Sequence, residues 1–171
     1  DEIERLPNLA ASIAMIRDGF HDDNQGGTVE LRDNGEPLLD YPVNEYLLDG
    51  TKRAHLTMLE MQFAAGAKEV PPSHADAGYY KSWKAAREGV AQLDYAPVIT
   101  GLGSAHVMGG LTMGADESRC TVNSDGSYKH LNGLYVIDGS VFPTSIGANP
   151  QLSIYGLSAR NASALADKLK A

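Results

Sequence analysis

The run from Asp138 to Gly156, DGSVFPTSIGANPQLSIYG, constrains this chain more than any other stretch. It follows the apolar segment LYVI and leads into an alanine-rich segment that reads as a helix. Asp-Gly closing an apolar run marks a strand end, because both residues are poor strand formers and good turn formers. Asn149-Pro150 then opens the helix, with Asn as N-cap and Pro at the first helical position, where its missing N–H is not needed. The loop between has two readings. It joins two elements, or it offers backbone N–H groups and the positive end of a helix to a ligand.

Upstream, residues 1–20 carry Leu9, Ile13 and Ile16 at helical spacing. HDDNQGG reads as a loop, and TVELRDNGEPLLDYPV as a hairpin in which Val29 and Leu31 alternate with polar residues. Asn34-Gly35 predicts a tight primed turn there. A helix is expected from Asn44 to Ala65, with Leu48, Leu59 and Phe63 on its apolar face and Gly66 as its stop. Residues 76–93 predict another, carrying Tyr79, Tyr80 and Trp83 at a spacing that suits a core face. With Met58 and Met61 these aromatics also suit an apolar pocket. From APVITGLG onward glycines cluster and charges thin out.

Several function classes fall away. A formal charge of −8 with no Lys/Arg cluster argues against nucleic acid, whose binding surfaces are basic. No run approaches the 18 apolar residues of a membrane span. Cys120 is the one cysteine, which rules out an internal disulfide and a cysteine metal knot and fits a reducing, cytoplasmic setting. Gly101-Leu-Gly103-Ser-Ala-His106 starts like a dinucleotide fingerprint, but its sixth position is His. Ser104 and Ser140 each follow glycine directly, which breaks the G-x-S-x-G spacing. His21, His55, His74, His106 and His130 are scattered, so no metal site is expected.

Two residues keep double readings. His106, between apolar and glycine residues, is either a buried hydrogen-bonded histidine or a neutral imidazole poised as a general base. Asn149 either caps a helix or works beside a site at that helix start. The chain opens on DEIERLPNLA with its first methionine at Met15, so a fragment or processed form of something longer is expected.

AHVMGGLTMGAD, followed by GLYVIDGSVFPTSIGANPQLSIYGLSARNASALADKL, resembles the C-terminal region of the glucose–methanol–choline (GMC) oxidoreductases, flavoenzymes that use FAD to oxidise alcohols. His106 matches the histidine of the family's H-P-x-G-T-C-R-M-G motif; Gly109, Met113 and Gly114 agree, while the Pro, Thr, Cys and Arg positions differ. The resemblance implies that His106 and Asn149 are catalytic, His106 as the general base for hydride transfer to flavin. It implies that Asp138, Gly139, Asn149, Pro150 and Gln151 bind the cofactor. The implied fold is α+β: an antiparallel substrate-domain sheet with helices packed on it (residues 1–133), plus a returning strand, cofactor loop and C-terminal helix of the FAD domain (residues 134–171). The family's N-terminal Rossmann fingerprint does not occur in these residues. The implied partners are therefore an alcohol substrate and an N-terminal FAD-binding part, without which the chain is expected to be inactive. Two alternatives stand beside this: a non-catalytic binding or assembly module that kept the fold, and a lyase of the same family that keeps flavin.

Overall fold

The computed structural model describes residues 2–24 and 26–170. It is α+β, with a two-stranded antiparallel sheet and four α-helices among the described residues. The chain divides into two compact units, Asp1–Ile16 with Gly27–Leu102 and Arg17–Gly26 with Gly103–Ala171.

The first unit opens with α1 (Glu2–Arg5) and a 3-10 turn over Leu6–Asn8. The helix expected over residues 1–20 goes no further. Pro7 stands in that turn, and Leu9 and Ile13 stay exposed, so the helical spacing finds no surface to bury it and helix formation is not repaid. Strands β1 (Thr28–Leu31) and β2 (Pro37–Asp40) pair with Thr28 opposite Asp40 and Leu31 opposite Pro37. The turn is not the primed one predicted. Gly35 N–H donates to Arg32 C=O at 2.8 Å, and Arg32 N–H to Glu36 C=O at 2.9 Å. Gly35 alone of the turn residues has a positive φ, +81°. That is a three-residue loop closed by a glycine bulge, in which Asp33 joins Asn34 and Gly35. All eight strand residues are exposed, so the expected cover of helices on this sheet is not found.

Helix α2 (Glu45–Ala64) forms as expected. Asn44 Oδ1 accepts from Leu47 N–H at 3.1 Å, and Leu47, Thr51, His55 and Leu59 make a buried stripe at four-residue spacing. Its end is a Schellman motif: Ala67 N–H reaches Gln62 C=O, Gly66 N–H reaches Phe63 C=O, and Gly66 sits at φ +93°. Helix α3 (Trp83–Gln92) starts later than predicted. Val70 and Tyr80 exchange backbone hydrogen bonds at 2.9 and 3.1 Å, which holds residue 80 extended and leaves Ser82 as N-cap. Leu59, Val70, Ala86 and Val90 form the core, ringed by Phe63, Tyr80, Trp83 and Tyr95. Of the two readings of the aromatics, Tyr80 and Trp83 take packing. Gly89 makes room for this, since a Cβ there would stand 2.3 Å from the Tyr80 ring.

The second unit is mostly irregular chain packed on α4 (Gln151–Lys170) around Val122, Val141 and Asn161. Residues 134–137, expected as a strand, do not become one. Tyr128 N–H bonds Leu134 C=O and Val136 N–H bonds Gly126 C=O, but the contact amounts to an isolated bridge between Ser127 and Tyr135. A strand needs a continuous ladder, and this segment finds one short neighbour among the described residues. Residues 103–133 and 134–170 lie in the same compact unit.

Candidate functional site

The loop that begins at Asp138 is built on a local device that recurs in this unit. Asp138 Oδ1 accepts from both the N–H and the Oγ–H of Ser140, which starts a 3-10 turn over Gly139–Val141. Asp116 does the same with Ser118, and Asp125 with Ser127. Each is an aspartate clamping a serine two residues on, the local bonding that makes Asp and Ser turn formers. The hydrogen bonds from Ser118 and from Ser127 hold the Asp116 and Asp125 carboxyls below the usual range. Asp138 therefore has a structural job within its own loop, whatever else it touches.

That turn is tied to the segment after His106. Gly109, Leu111 and Met113 donate their N–H groups to the carbonyls of Gly139, Ser140 and Val141 at 3.3, 3.1 and 2.9 Å. Every second residue of the 109–113 segment thus meets successive residues of the 3-10 turn, with Gly109 and Gly110 both at positive φ in between. A Cβ on Gly139 would stand 3.0 Å from Ile154 Cδ1 and 3.5 Å from the Val107 carbonyl. So the residue after His106, the Asp138–Gly139 corner and the first turn of α4 converge, and the bare side of Gly139 is filled by the chain's own atoms. On that side Gly139 makes room for the Ile154 side chain.

His106 is exposed, as are Asp138, Asn149 and Gln151, while Pro150 is buried and Gly139 half-buried. The apolar neighbours of His106 in sequence do not bury it, because residues 101–107 are irregular and exposed throughout. The α4 start has no acidic residue in its first turn, and Leu152 and Tyr155 stand 85% and 62% exposed beside it. The N–H groups at that start have no acceptor within the helix. Behind the loop, Thr144 Oγ–H donates to Gly19 C=O at 3.0 Å, and Ser158 Oγ–H to Ile137 C=O at 3.2 Å.

The first unit holds a buried polar cluster that the scattered histidines gave no sign of. His55 Nδ1 lies 2.9 Å from the Tyr95 hydroxyl, and His74 Nε2 lies 2.8 Å from Asp94 C=O. Asp76 N–H donates to His74 Nδ1, so the His74 proton sits on Nε2 and points at that carbonyl. Both imidazoles pack against the Tyr95 ring at 5.7 and 5.3 Å. Burial first, and His74 second, push the His55 pKa down. Burial and then Tyr80 push Tyr95 up to about 12, so its phenol keeps its proton beside His55 Nδ1. No sequence pattern marks this cluster: His55, His74 and Tyr95 stand 19 and 21 residues apart in sequence, His55 on α2 and His74 in the segment paired with residues 99–101.

The GMC oxidoreductase family model matches residues 23–158. A long-chain-alcohol oxidase of Arabidopsis thaliana is 30% identical over 127 residues, 66% of this chain and 17% of its own length. A GMC-type oxidoreductase of Mycobacterium tuberculosis is 29% identical over 155 residues, 91% of this chain and 23% of its own. A 6'''-hydroxyparomomycin C oxidase of Streptomyces lividus is 35% identical over 69 residues, 40% of this chain and 13% of its own. The chain thus spans about a fifth of the length of the curated relatives it matches. The match runs through the hairpin, both large helices of the middle of the chain and the loop from Asp138 to Gln151, and the chain belongs to the GMC oxidoreductase family, of which it carries the C-terminal region.

Proposed function

We propose that this chain is the part of an FAD-dependent oxidoreductase of CH–OH groups that supplies the catalytic base and the flavin-ring end of the cofactor site. The observation that carries the reading is the convergence of the segment after His106, the Asp138–Gly139 corner and the start of α4. The residues suit a flavin ring at that corner. The helix start brings positive potential and N–H donors that have no acceptor within the helix, with no first-turn carboxylate, and the flanking Leu152 and Tyr155 are exposed. Pro150 and Gln151 would hold the ring edge by that helix start, with Asp138, Gly139 and Asn149 beside it. Bound FAD would supply the two-electron acceptor.

The chain's own residues then do two things. His106 takes the hydroxyl proton of the alcohol on an imidazole nitrogen, which builds negative charge on the carbinol oxygen and weakens its C–H bond. Asn149 donates to the same oxygen and fixes its angle, which restricts the substrate to one reactive pose. In this reading residues 1–133 serve the substrate and residues 134–171 return to the cofactor domain. The names of the relatives favour an alcohol as substrate, long-chain in some and 6'''-hydroxyparomomycin C in another.

The test is His106→Ala in the full-length protein. It should cut kcat by about 10²–10⁴-fold while flavin absorbance stays with the protein. An unchanged rate removes His106 from the mechanism, and flavin that never bleaches under any alcohol removes the oxidoreductase reading.

A further inference from the structure

The second unit contains a cleft of about 450 Å³ lined by Glu117, Asn123, Lys129 and His130, none of which belongs to the corner described above. Its wall is a short antiparallel ladder. Val122 faces Tyr128 across it, Asn123 N–H donates to Ser127 C=O, and Lys129 N–H donates to Thr121 C=O, both at 2.9 Å. Thr121 is thus directly opposite Lys129, and Asn123 opposite Ser127. Opposed residues in such a ladder share a face, and residues two apart on one arm share it too. Thr121, Asn123, Ser127 and Lys129 therefore stand on one side, away from Val122.

On that side two polar atoms are stranded. Lys129 Nζ and Thr121 Oγ1 are cut off from solvent and have no hydrogen-bond partner. An ammonium carries three donors and a hydroxyl one, and leaving either buried without an acceptor is unfavourable. The neighbours solve the same problem differently. Asn123 Nδ2 donates to Ser127 Oγ at 3.0 Å, Lys168 Nζ reaches the Tyr135 hydroxyl at 2.9 Å, and Arg160 reaches Ser124 C=O and Asn161 Oδ1. Glu117 stands on the same cleft wall but makes no hydrogen bond to Nζ.

We propose that this ladder face is a binding site for a small oxyanion, a carboxylate or a phosphate, held by the Lys129 ammonium and the Thr121 hydroxyl with His130 at the rim. The Lys129 ammonium has donors only, and the Thr121 hydroxyl can turn its own proton towards the same acceptor, so one acceptor group would satisfy both. An oxyanion supplies several acceptors and a countercharge at once, and charge-assisted bonds of this kind are the strong ones. The proposal is independent of the flavin reading, since it uses no residue of the Asp138–Gln151 loop.

The test is a titration of the ¹⁵N-labelled chain with sodium phosphate, and separately with sodium acetate, at constant ionic strength. The backbone amides of Thr121, Lys129 and His130 should shift and saturate. Saturation by both anions assigns a carboxylate-type ligand, and saturation by phosphate alone a phosphate-type one; either supports the site. K129M, which keeps the apolar stem, should weaken binding roughly tenfold or more, and K129R should restore most of it. Absence of saturation with both anions, or K129M binding as the parent does, overturns the proposal. Should K129M lose its dispersed spectrum, T121V takes its place: weaker phosphate binding is expected, and unchanged binding overturns the site.

Discussion

At Val98 the backbone sits at φ +75° and the side chain is 98% exposed, so a β-branched residue occupies the left-handed region with no packing to reward it. Asn tolerates that region better than Val. Val98→Asn should therefore stabilise the chain by about 0.5–1 kcal/mol, read from urea unfolding; a loss of stability would show that the Val98 backbone carries no strain. His55 makes a prediction of a different kind. Its folded pKa lies below the ordinary 6.5, so between the two values the unfolded chain binds more protons than the folded one. Stability from His55 is then complete above pH 6.5 and is lost as pH falls below it towards the folded value. Tm should drop between pH 7.5 and 5.5, and His55→Gln should flatten that slope. Asp116 and Asp125, whose pKa values are also lowered, act in a separate window below the ordinary 3.8, and their exposure makes that contribution small.

At the scale of elements, α2 was legible from the residues at its two ends. Asn44 and Gly66 bracket α2: Gly66 is the expected stop, in the left-handed region, and Asn44 caps the Leu47 N–H with its side chain. Ser82 caps α3 through Ala85 N–H at 3.2 Å. Asn44→Ala and Ser82→Ala should each cost about 1 kcal/mol, measured by denaturant midpoint, with an unaltered midpoint showing that water replaces the cap. Residues 1–20 teach the opposite lesson. Leu9, Ile13 and Ile16 have helical spacing, yet spacing is only potential until another element covers it, and Ile13 is 90% exposed. The turn at Asn34-Gly35 was placed correctly and typed wrongly, because the loop draws in Asp33 and needs a positive φ at Gly35 alone. Residues 134–137 read as a strand by composition, but strand identity depends on neighbours that a local pattern does not contain.

At the scale of the whole molecule, large apolar side chains remain open on α4 and on the hairpin: Leu152, Tyr155, Val29, Leu31 and Leu39 are all exposed. Together with the fifth of its relatives' length that the chain spans, this leads us to expect that cofactor binding needs more chain than this. The isolated chain, purified with excess FAD and passed through a desalting column, should emerge without flavin absorbance and oxidise no alcohol, whereas the full-length protein should be yellow. A yellow isolated chain would show that the Asp138–Gln151 loop and its surroundings hold the cofactor unaided.

By itself the sequence determined what is local: the extent of α2, the stop at Gly66, the place of the hairpin turn, and the loop and helix from Asp138 onward. Each follows from the backbone preference or hydrogen bonding of residues only a few positions apart. The family motif likewise lay in contiguous residues. Tertiary structure decided what depends on distant partners. It seated Val107 and Ile154 against Gly139, left His106 exposed, and brought His55 and His74 to one tyrosine ring. It also faced Lys129 and Thr121 across a ladder without an acceptor for either. Burial and hydrogen-bond partnership belong to pairs of residues far apart in the chain, and no local pattern encodes them.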